Sequence, residues 1–304
     1  MGQTKKVSII LPVYNGEDSV SDSIDSVLKQ TYDNLELIIV DDCSEDGTAQ
    51  IIEKYAKQDG RITIIRNEAN QKLPRSLNIG FQAATGDYLT WTSDDNMYRE
   101  SAIERMVYTL ECVSDAGMVY SDFTVVNEIA DEAKTSLKVV SAPETLRLKN
   151  VVGACFLYRK DVAKKVGIYD PNLFLAEDYD YWIRIWKNAK CIAMHEDLYI
   201  YRLQPKGLTA TRWAAVQNQA GAVISKHFEF LYSTCNTDKE KIEFFDNLIS
   251  CTTNDKKREE LKRIYKCMPS YRFYYAKGLV KAEVGMIVGK FKSIVKRWID
   301  ERDK

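Results

Sequence analysis

The sequence predicts an α/β fold in which a largely parallel sheet carries helices on both faces. Short apolar runs alternate, along the first half of the chain, with segments whose apolar residues recur at helical spacing. One run, LELIIV at residues 35–40, is almost entirely apolar, as is typical of a parallel strand buried on both faces. Because parallel strands are joined through helices, this alternation indicates a sheet that is covered on two sides.

The predicted elements follow one another in a regular order up to about residue 126. Strands are predicted at residues 7–11, 35–40, 62–65, 87–91 and 117–126, with helices from residues 19 and 48, over residues 74–84 and near residues 100–112. Shorter strands are then predicted at residues 154–158, 191–194 and 199–203, with helices at residues 161–166 and 177–187. After residue 206 the chain becomes helical and charged, so we expect a domain over residues 1–206 and a helical extension over residues 207–304.

The composition argues against several classes of protein. The 304 residues include 43 Lys or Arg and 44 Asp or Glu, whereas a nucleic-acid-binding protein usually has a large basic excess. No stretch of about 18 apolar residues is present, so we expect no transmembrane helix. The seven cysteines contain no C-x-x-C pair, and we expect them to be reduced in a cytoplasmic protein.

Two pairs of aspartates follow predicted strands, at the edge where open α/β sheets bind their ligands. Asp41 and Asp42 follow the second strand, and Asp94 and Asp95 follow the fourth. Adjacent carboxylates repel each other, and a hard divalent cation with oxygen ligands relieves that repulsion. The alternative is that such aspartates are loop residues that cap helices, which is the interpretation we prefer for Asp46.

Four segments resemble the family 2 inverting glycosyltransferases of the type that builds bacterial polysaccharides, which have the GT-A fold. They are SIILPVYNGE (residues 8–17), QTYDNLELIIVDDCSEDGT (residues 30–48), LPRSLNIGFQAATGDYLTWTSDDN (residues 73–96) and AEDYDYWIR (residues 176–184). The resemblance implies a Rossmann-like mixed sheet flanked by helices. It also implies an enzyme that moves a sugar from a nucleotide diphosphate donor to an acceptor hydroxyl.

The resemblance assigns nucleotide binding to the segments after the first, second and fourth strands. In the family, the first of these loops holds the base and the ribose, and here Tyr14 offers a stacking surface for the base. Asp42 is expected to accept hydrogen bonds from the base edge, while Arg75 is either a phosphate contact or a solvated surface residue. The expected nucleotide-binding residues are Pro12, Val13, Tyr14, Asn15, Glu17, Asp41, Asp42, Arg75, Asn78, Ser93 and Asp94.

The resemblance also implies a divalent cation, Mn²⁺ or Mg²⁺, at the acidic motif after the fourth strand. Thr92 occupies the first position of the family's D-x-D motif, which leaves open whether Asp94 or Asp95 is the main metal ligand. We favour Asp95 for the metal and Asp94 for the ribose or the sugar. Gln204 stands where many relatives have a histidine ligand, so either the metal affinity is modest or Gln204 only orients the diphosphate.

Glu177 and Asp178 resemble the acidic motif that carries the general base in this family. Asp178 is predicted to take the proton of the acceptor hydroxyl as its oxygen attacks the anomeric carbon, so that the configuration inverts. Glu177 completes the predicted catalytic pair. The alternative is that the two acids lie at a helix N-terminus and interact only with the helix dipole.

The C-terminal segment combines basic side chains with an apolar helix face. Between Tyr271 and Trp298 there are seven Lys or Arg residues and one Glu. Such a helix can lie on an anionic membrane surface, so we expect residues 271–300 to bring the enzyme to the inner face of the plasma membrane and to a glycan or lipid-linked glycan acceptor. Packing on the catalytic domain, or on a second copy in a homo-oligomer, stays open as the alternative.

Within the resemblance a UDP-sugar is the favoured donor, and synthesis of bacterial surface polysaccharide or another glycan is the favoured process. The main alternative is a catalytically silent module that only binds a nucleotide-sugar, which Thr92 and Gln204 favour and the intact acidic pairs oppose. A nicotinamide dehydrogenase or a nucleotide-sugar pyrophosphorylase would need a glycine-rich loop after the first strand, and PVYNGE stands there instead.

Overall fold

A computed structural model describes residues 4–127, 134–204, 207, 211–251, 258–259 and 261–262. The chain divides into two compact units, Met1–Phe230 and Leu231–Lys304, while the domain boundary that we predict at residue 206 stays a prediction. Within the described part of the chain, no helix is long and apolar enough to cross a membrane. The segment predicted to contact a membrane, residues 271–300, lies outside the described residues.

The secondary structure begins with alternating strands and helices. The strands are β1 (Val7–Val13), β2 (Leu35–Asp41), β3 (Ile62–Arg66), β4 (Tyr88–Trp91), β5 (Met97–Tyr98), β6 (Ala116–Asn127), β7 (Lys134–Lys138), β8 (Phe156–Arg159) and β9 (Lys190–Leu203). The helices of the first unit are α1 (Val20–Leu28), α2 (Thr48–Gln58), α3 (Leu73–Ala83), α4 (Ala102–Cys112), α5 (Lys160–Val166), α6 (Glu177–Asn188) and α7 (Trp213–Lys226). Then come α8 (Phe228–Ser233) and α9 (Asp238–Cys251), and 3₁₀ helices lie at Pro143–Arg147 and Pro171–Leu173.

The strands form one mixed sheet in the order β3-β2-β1-β4-β8-β6-β9-β5, with β7 paired to β6. Strands β1 to β4 are parallel to one another, and β8 runs antiparallel to both β4 and β6. Val13 pairs with Asp41, and Ile10 pairs with Trp91, so β1, β2 and β4 end at the same edge. The loops that carry the predicted nucleotide-binding residues therefore start side by side.

The helices pack on the sheet through the apolar positions that their spacing predicts. In α1, Val20, Ile24 and Val27 are fully buried, as expected for one face of a helix against a core. Helix α3 lies close to β1, and Gly80 makes this approach feasible. A Cβ atom at position 80 would meet the side chain of Ile10 at 2.4 Å, so a larger residue would push the helix away.

The structure confirms the predicted alternation of strands and helices in the first half of the chain. In the second half it corrects the number of strands. The strands predicted at residues 191–194 and 199–203 are parts of a single strand, β9. Strand β9 pairs with β6 along its length. The register of this pairing shifts on either side of Asp122. Strand β7 was not predicted, because its polar residues are all exposed and lack an apolar face.

Helix α6 is held by an aromatic cluster beneath the middle of the sheet. Trp182 is fully buried, and its ring lies 4.4 Å from that of Phe156 and 6.2 Å from that of Tyr158. Trp186, on the same helix, packs edge-on against Phe230 at 5.1 Å. Trp182 therefore packs in the interior and the half-buried Trp186 packs on Phe230, and together they fix the orientation of α6.

We expect Trp182→Ala to lower the free energy of unfolding by about 3–5 kcal/mol, because the substitution leaves a large cavity under α6. Guanidinium unfolding followed by circular dichroism measures this change. Trp213→Ala is the matched control, since 59% of the Trp213 side chain is exposed, and its effect should stay within about 0.5 kcal/mol. Equal losses in the two variants would show that the cluster does not anchor the helix.

Candidate active site

The loop after β1 is fastened to the loop after β2 by side-chain hydrogen bonds. The backbone N–H of Asn15 donates to Ser44 Oγ at 3.0 Å, and Asn15 Oδ1 accepts from the N–H of Glu45 at 2.9 Å. Glu17 Oε2 accepts from the N–H of Gly47 at 2.6 Å. Asn15 has a φ of 54°, a left-handed conformation in which asparagine is enriched. Asn15 and Glu17 thus shape the loops, and their contact with a nucleotide stays a prediction.

Asp46 and Thr48 complete the connection between these two loops. Asp46 Oδ1 accepts from the N–H of Thr48, the first residue of α2, at 3.0 Å, but the N-cap of this helix is Gly47, so Asp46 is a loop residue that lies just before the cap. The other oxygen, Asp46 Oδ2, accepts from the N–H of Glu17 at 3.1 Å. Thr48 Oγ1 in turn accepts from the N–H of Gly16 at 2.9 Å. The two loops are therefore held together before any ligand binds.

The end of β1 presents an aromatic ring at the edge of the sheet. Pro12 and Val13 are buried in the strand, whereas the next residue, Tyr14, has 46% of its surface exposed. An exposed ring beside a rigid strand end is suited to stacking on a flat base. The contacts of Pro12, Val13 and Tyr14 with a nucleotide stay predictions.

Asp42 is buried and holds the chain that leads into α3. Its Oδ1 accepts from Asn67 Nδ2 at 2.7 Å and from the N–H of Gln71 at 2.7 Å, and its Oδ2 accepts from the N–H of Lys72 at 2.9 Å. A carboxylate has about four acceptor positions, so one more donor can still be bound. The predicted hydrogen bond to a base edge is compatible with this arrangement.

Asp41 is fully buried at the end of β2. Its Oδ1 accepts from the N–H of Ser44 at 2.9 Å. Arg66 Nε lies 3.3 Å from Asp41 Oδ2 and forms an ion pair with it, while this oxygen accepts no hydrogen bond from the described part of the chain. These contacts stabilise the turn after β2, and binding of a nucleotide by Asp41 stays a prediction.

Helix α3 carries two predicted nucleotide-binding residues that have different surroundings. Asn78 Nδ2 donates to the backbone oxygen of Tyr169 at 2.9 Å, and Asn78 Oδ1 accepts from the N–H of Tyr169 at the same distance. Asn78 therefore fixes the position of Tyr169. Arg75 is exposed in the first turn of α3 and makes no hydrogen bond or ion pair with the residues that the structure describes. A phosphate contact by Arg75 stays a prediction.

Asp94 and Asp95 follow β4 and lie against the loop after β1. A Cβ atom at Gly16 would meet Asp94 Oδ2 at 2.5 Å, so this glycine lets the two loops touch. The backbone oxygen of Ser93 accepts from Ser23 Oγ at 2.9 Å, which holds the acidic loop on α1. Burial and the charge of Asp95 raise the pKa of Asp94 to about 7. The two carboxylates are therefore close enough for the charge of Asp95 to act on Asp94.

The neighbouring Thr92 points away from this acidic pair. Its side chain is fully buried, and its hydroxyl lies 2.6 Å from that of Tyr199 on β9. An aspartate at this position would place a charge in the interior of the sheet, which costs several kcal/mol unless it is paired. The departure from the family's D-x-D motif therefore has a packing reason.

The residues present fit a divalent cation only if a ligand completes its coordination shell. Within the described part of the chain, no group of three or more Asp, Glu, His or Cys side chains is arranged to hold a metal ion. Mg²⁺ and similar cations are commonly bound by one or two carboxylates together with water and substrate phosphates. Asp94 and Asp95 supply such a pair, and the raised pKa of Asp94 reflects a repulsion that a cation would relieve.

Asp178 stands in the first turn of α6 and is half-buried. Its Oδ2 accepts from Asn150 Nδ2 at 2.7 Å, and its Oδ1 accepts from the N–H of Tyr179 at 2.7 Å. Burial raises the pKa of Asp178 above its ordinary value, and these two hydrogen bonds oppose the increase. Asn150 was not predicted from the sequence, since it belongs to none of the recognised motifs.

Glu177 is a buried acid beside Asp178, with only 4% of its surface exposed. Its Oε2 has no hydrogen-bond partner among the residues that the structure describes. Burial and the charge of Asp178 raise the pKa of Glu177 to about 8. The pKa values of both acids of the predicted catalytic pair are therefore raised, chiefly by burial.

Tyr169 links the end of β4 to the start of α6. Its hydroxyl accepts from Trp91 Nε1 at 3.1 Å, and its ring stacks on that of Tyr181 at 3.9 Å. Burial, together with nearby groups that include Asp178, raises the pKa of Tyr169 well above its ordinary value. Trp91 is the last residue of β4, shortly before Asp94. Tyr169 therefore joins the end of β4, which leads to Asp94, to helix α6, which carries Asp178.

Helix α6 is anchored by a second carboxylate, Asp180, which is fully buried. It lies 2.8 Å from Arg184 Nε, 2.8 Å from His227 Nε2 and 2.9 Å from Lys226 Nζ. Although burial alone would raise it, the hydrogen bonds from His227 and Lys226 and the charge of Arg184 lower the pKa of Asp180 to about 2. Asp180 thus ties α6 to the end of α7.

Comparison with known proteins places these motifs in one family. Residues 8–167 match the family model described as glycosyl transferase family 2. A Bacillus subtilis protein named as a teichuronic acid biosynthesis glycosyltransferase, TuaG, is 31% identical over 216 residues, which cover 69% of this chain and 84% of TuaG. The uncharacterized glycosyltransferase EpsJ of the same organism is 30% identical over 217 residues, which cover 67% of this chain and 62% of EpsJ.

Solved structures confirm the GT-A fold. Residues 1–349 of TarS from S. aureus, in complex with UDP-GlcNAc, align with a TM-score of 0.59 and 17% identity, over 90% of this chain and 92% of that one. The mannosyltransferase PcManGT from Pyrobaculum calidifontis, in complex with GDP-Man and Mn²⁺, aligns with a TM-score of 0.60 and 16% identity, over 90% and 84%. At such low identities the likeness establishes the fold alone.

We expect Glu177→Gln to change how stability depends on pH. The pKa of Glu177 is about 8 in the folded protein against an ordinary value of 4.5, so the folded state binds more protons between these two values. Wild-type stability should therefore fall as the pH rises through this range, by on the order of 3 kcal/mol from this residue. Glutamine stays neutral and removes that loss.

Urea unfolding between pH 5 and pH 9 measures this difference. The Glu177→Gln variant should match the wild type near pH 5 and exceed it in stability at pH 8. Glu53→Gln is the matched control, because Glu53 is exposed on α2, and it should follow the wild-type curve. Parallel curves for Glu177→Gln and the wild type would contradict the raised pKa.

Proposed function

The chain belongs to glycosyl transferase family 2 and is a glycosyltransferase, and we propose that it transfers a sugar from a UDP-sugar to an acceptor hydroxyl with inversion. The choice of UDP is supported by TarS, whose solved structures include complexes with UDP and UDP-GlcNAc. The proposed process is the synthesis of a bacterial surface polysaccharide or another glycan, by analogy with the teichuronic acid function named for TuaG.

The observation that carries this proposal is that Tyr169 joins the end of β4, which leads to Asp94 and Asp95, to helix α6, which carries Asp178. Trp91 Nε1 at the end of β4 donates to the Tyr169 hydroxyl, and the charge of Asp178 acts on the same phenol. A transferase of this kind needs one group of carboxylates on the side of the leaving diphosphate and one carboxylate beside the incoming hydroxyl. We assign Asp94 and Asp95 to the first role and Asp178 to the second.

Asp178 is proposed as the general base. The acceptor oxygen attacks the anomeric carbon of the donor, its proton passes to the Asp178 carboxylate, and the bond from the anomeric carbon to the diphosphate oxygen breaks. Attack from the face opposite the leaving group inverts the configuration. A general base works best when its pKa lies near the working pH, and the burial of Asp178 moves its pKa in that direction.

The donor is proposed to bind across the edges of β1, β2 and β4. Tyr14 stacks on the base, Asp42 accepts from the base edge, and Asp94 contacts the ribose or the sugar. Asp94 and Asp95 hold a Mn²⁺ or Mg²⁺ ion, with Asp95 as the favoured main ligand. When bound, such a cation offsets the negative charge of the departing diphosphate. Arg75, exposed at the start of α3, is proposed to contact a phosphate oxygen.

The acceptor side of the reaction is proposed from the sequence. A glycan or a lipid-linked glycan is the proposed acceptor, and residues 271–300 are proposed to hold the enzyme at the inner face of the plasma membrane. Contact of this segment with a second copy of the chain is the alternative. Liposome flotation with the full chain and with a chain that ends near Tyr271 separates the two, because only membrane contact predicts a difference.

We expect Asp178→Asn to lower the rate of sugar transfer by about 10² to 10⁴, with the affinity for UDP unchanged, because the amide cannot accept the acceptor's proton. A thermal-shift screen of UDP-, GDP- and dTDP-sugars with Mn²⁺ identifies the donor, and release of the nucleoside diphosphate measures the rate.

Asp161→Asn is the matched control for Asp178→Asn. Asp161 is exposed in the first turn of α5, and its Oδ1 accepts from the N–H of the next residue, as Asp178 Oδ1 does. The control should keep wild-type activity. Wild-type activity in Asp178→Asn would exclude this residue as the base, whereas failure of every donor to bind would favour a catalytically silent module.

We expect the affinity of UDP in the presence of Mn²⁺ to rise by about tenfold from pH 6 to pH 8. The cation binds the ionised carboxylate, and a site loses about tenfold in affinity for each pH unit below the pKa of its ligand. The pKa of Asp94 is about 7, so the increase should level off above that pH. Isothermal titration with UDP at several pH values provides the measurement.

The comparison that isolates Asp94 uses the Asp94→Asn variant under the same conditions. This variant should lose the pH dependence due to residue 94 and keep only the dependence that comes from the titration of UDP itself. If the wild type and Asp94→Asn respond to pH in the same way, Asp94 does not ligate the cation.

A further inference from the structure

Asn150 lies in the segment between the 3₁₀ helix Pro143–Arg147 and β8, outside every motif recognised in the sequence. The side chain is exposed, yet both ends of its amide are bound. Nδ2 donates to Asp178 Oδ2 at 2.7 Å, and Oδ1 accepts from the N–H of Val152 at 3.3 Å. Because an amide NH₂ group cannot accept from the Val152 N–H and an amide oxygen cannot donate to Asp178, these two partners determine which way the amide points.

Asp178 depends on Asn150 for its side-chain hydrogen bond. Among the described residues, its carboxylate accepts from two donors, Asn150 Nδ2 and the backbone N–H of Tyr179. The Tyr179 N–H is part of the backbone at the start of α6 and binds Oδ1. Asn150 is thus the side chain that holds Oδ2, and it approaches from a different part of the chain, on the exposed side of Asp178.

We propose that Asn150 is a positioning residue that keeps the Asp178 carboxylate ionised and oriented toward the incoming acceptor hydroxyl. The proposal rests on the proposed function, in which Asp178 is the general base. Asn150 acts through Asp178 and does not itself take part in the proton transfer. Its Nδ2–H group stabilises the negative charge that the base must carry before the acceptor arrives.

Other charged and titratable groups lie around Asp178, and their effects are distinguishable from that of Asn150. Glu177 precedes it on α6, and its pKa of about 8 makes it mostly neutral near pH 7. Tyr169 faces it from the adjacent segment, with a pKa raised far above that range. Asp180 is neutralised by its own cationic partners, and Glu144 and Arg147 lie on the 3₁₀ helix packed against α6. None of these groups changes when Asn150 is replaced.

The direction of the expected effect follows from the charge state that Asn150 favours. An N–H donor stabilises the ionised carboxylate, so its removal raises the pKa of Asp178 further. At a fixed pH near neutrality, a smaller fraction of the base is then ionised. The acid limb of the rate profile should move to higher pH, and the rate should recover at alkaline pH, where Asp178 is ionised with or without Asn150.

The direct test is a ¹³C NMR titration of the full chain with ¹³Cγ-labelled aspartate. The Asp178 signal is the one that Asp178→Asn removes. In Asn150→Ala and in the isosteric Asn150→Leu, neither of which can donate, its titration midpoint should move to higher pH. Asn188→Ala is the matched control, because Asn188 Nδ2 donates to the backbone oxygen of Arg184 at the far end of α6. This control should leave the midpoint unchanged.

Kinetics supply the second readout, with the donor found in the thermal-shift screen. Asn150→Ala should be about tenfold slower than the wild type near neutral pH, with an unchanged KM for the donor, since a hydrogen bond to a charged group is worth roughly a factor of ten or more. Asn150→Gln keeps an amide donor and should restore part of the rate. A loss of rate that is the same at every pH would indicate a merely structural role and overturn the proposal.

The two readouts separate this proposal from the proposed function. If Asp178→Asn stays fully active, Asp178 is not the base, but the NMR titration still shows whether Asn150 controls its ionisation. If the Asp178 midpoint is the same in the wild type, Asn150→Ala and Asn150→Leu, the positioning role of Asn150 is wrong, whatever the activity of the enzyme.

Discussion

A carboxylate that a fold buries must be compensated by cations or hydrogen-bond donors, and this constraint organises the molecule. Asp42 is compensated by three N–H donors, and Asp180 by Arg184, Lys226 and His227. Asp94 and Glu177 lack such compensation, and their pKa values rise to about 7 and about 8. Asp42 and Asp180 hold the loops and helices in place. Asp94 and Glu177 are available to bind a ligand or a proton.

The compensated acids position the uncompensated ones. Asp42 fixes the entry to α3, whose Asn78 then holds Tyr169 between the end of β4 and helix α6. Asp180 and the buried ring of Trp182 fix α6, whose first turn carries the proposed base. These contacts belong to the fold itself. The proposed reacting groups are therefore held in position before the substrate binds.

The sequence was sufficient for the mixed α/β fold and for the strand ends that carry the acidic motifs, because both follow from local periodicity and spacing. It was not sufficient for contacts between distant segments. Asn150 lies in a loop that contains no recognised motif, and it reaches Asp178 only in the folded chain. Asn78 binds the backbone of Tyr169, a contact that its position in the sequence does not indicate. Thr92 looked like a defect in the metal motif, whereas its hydroxyl packs against that of Tyr199 inside the sheet.

A crystal structure of the full chain with Mn²⁺ and an unreactive analogue of its UDP-sugar tests the central claim most directly. The account predicts that Asp94 and Asp95 share one cation with the diphosphate. It also predicts that Asp178 lies on the opposite face of the anomeric carbon, with Asn150 still bound to it. A cation held by other residues, or an Asp178 carboxylate on the same side as the diphosphate or outside the donor cleft, would contradict it.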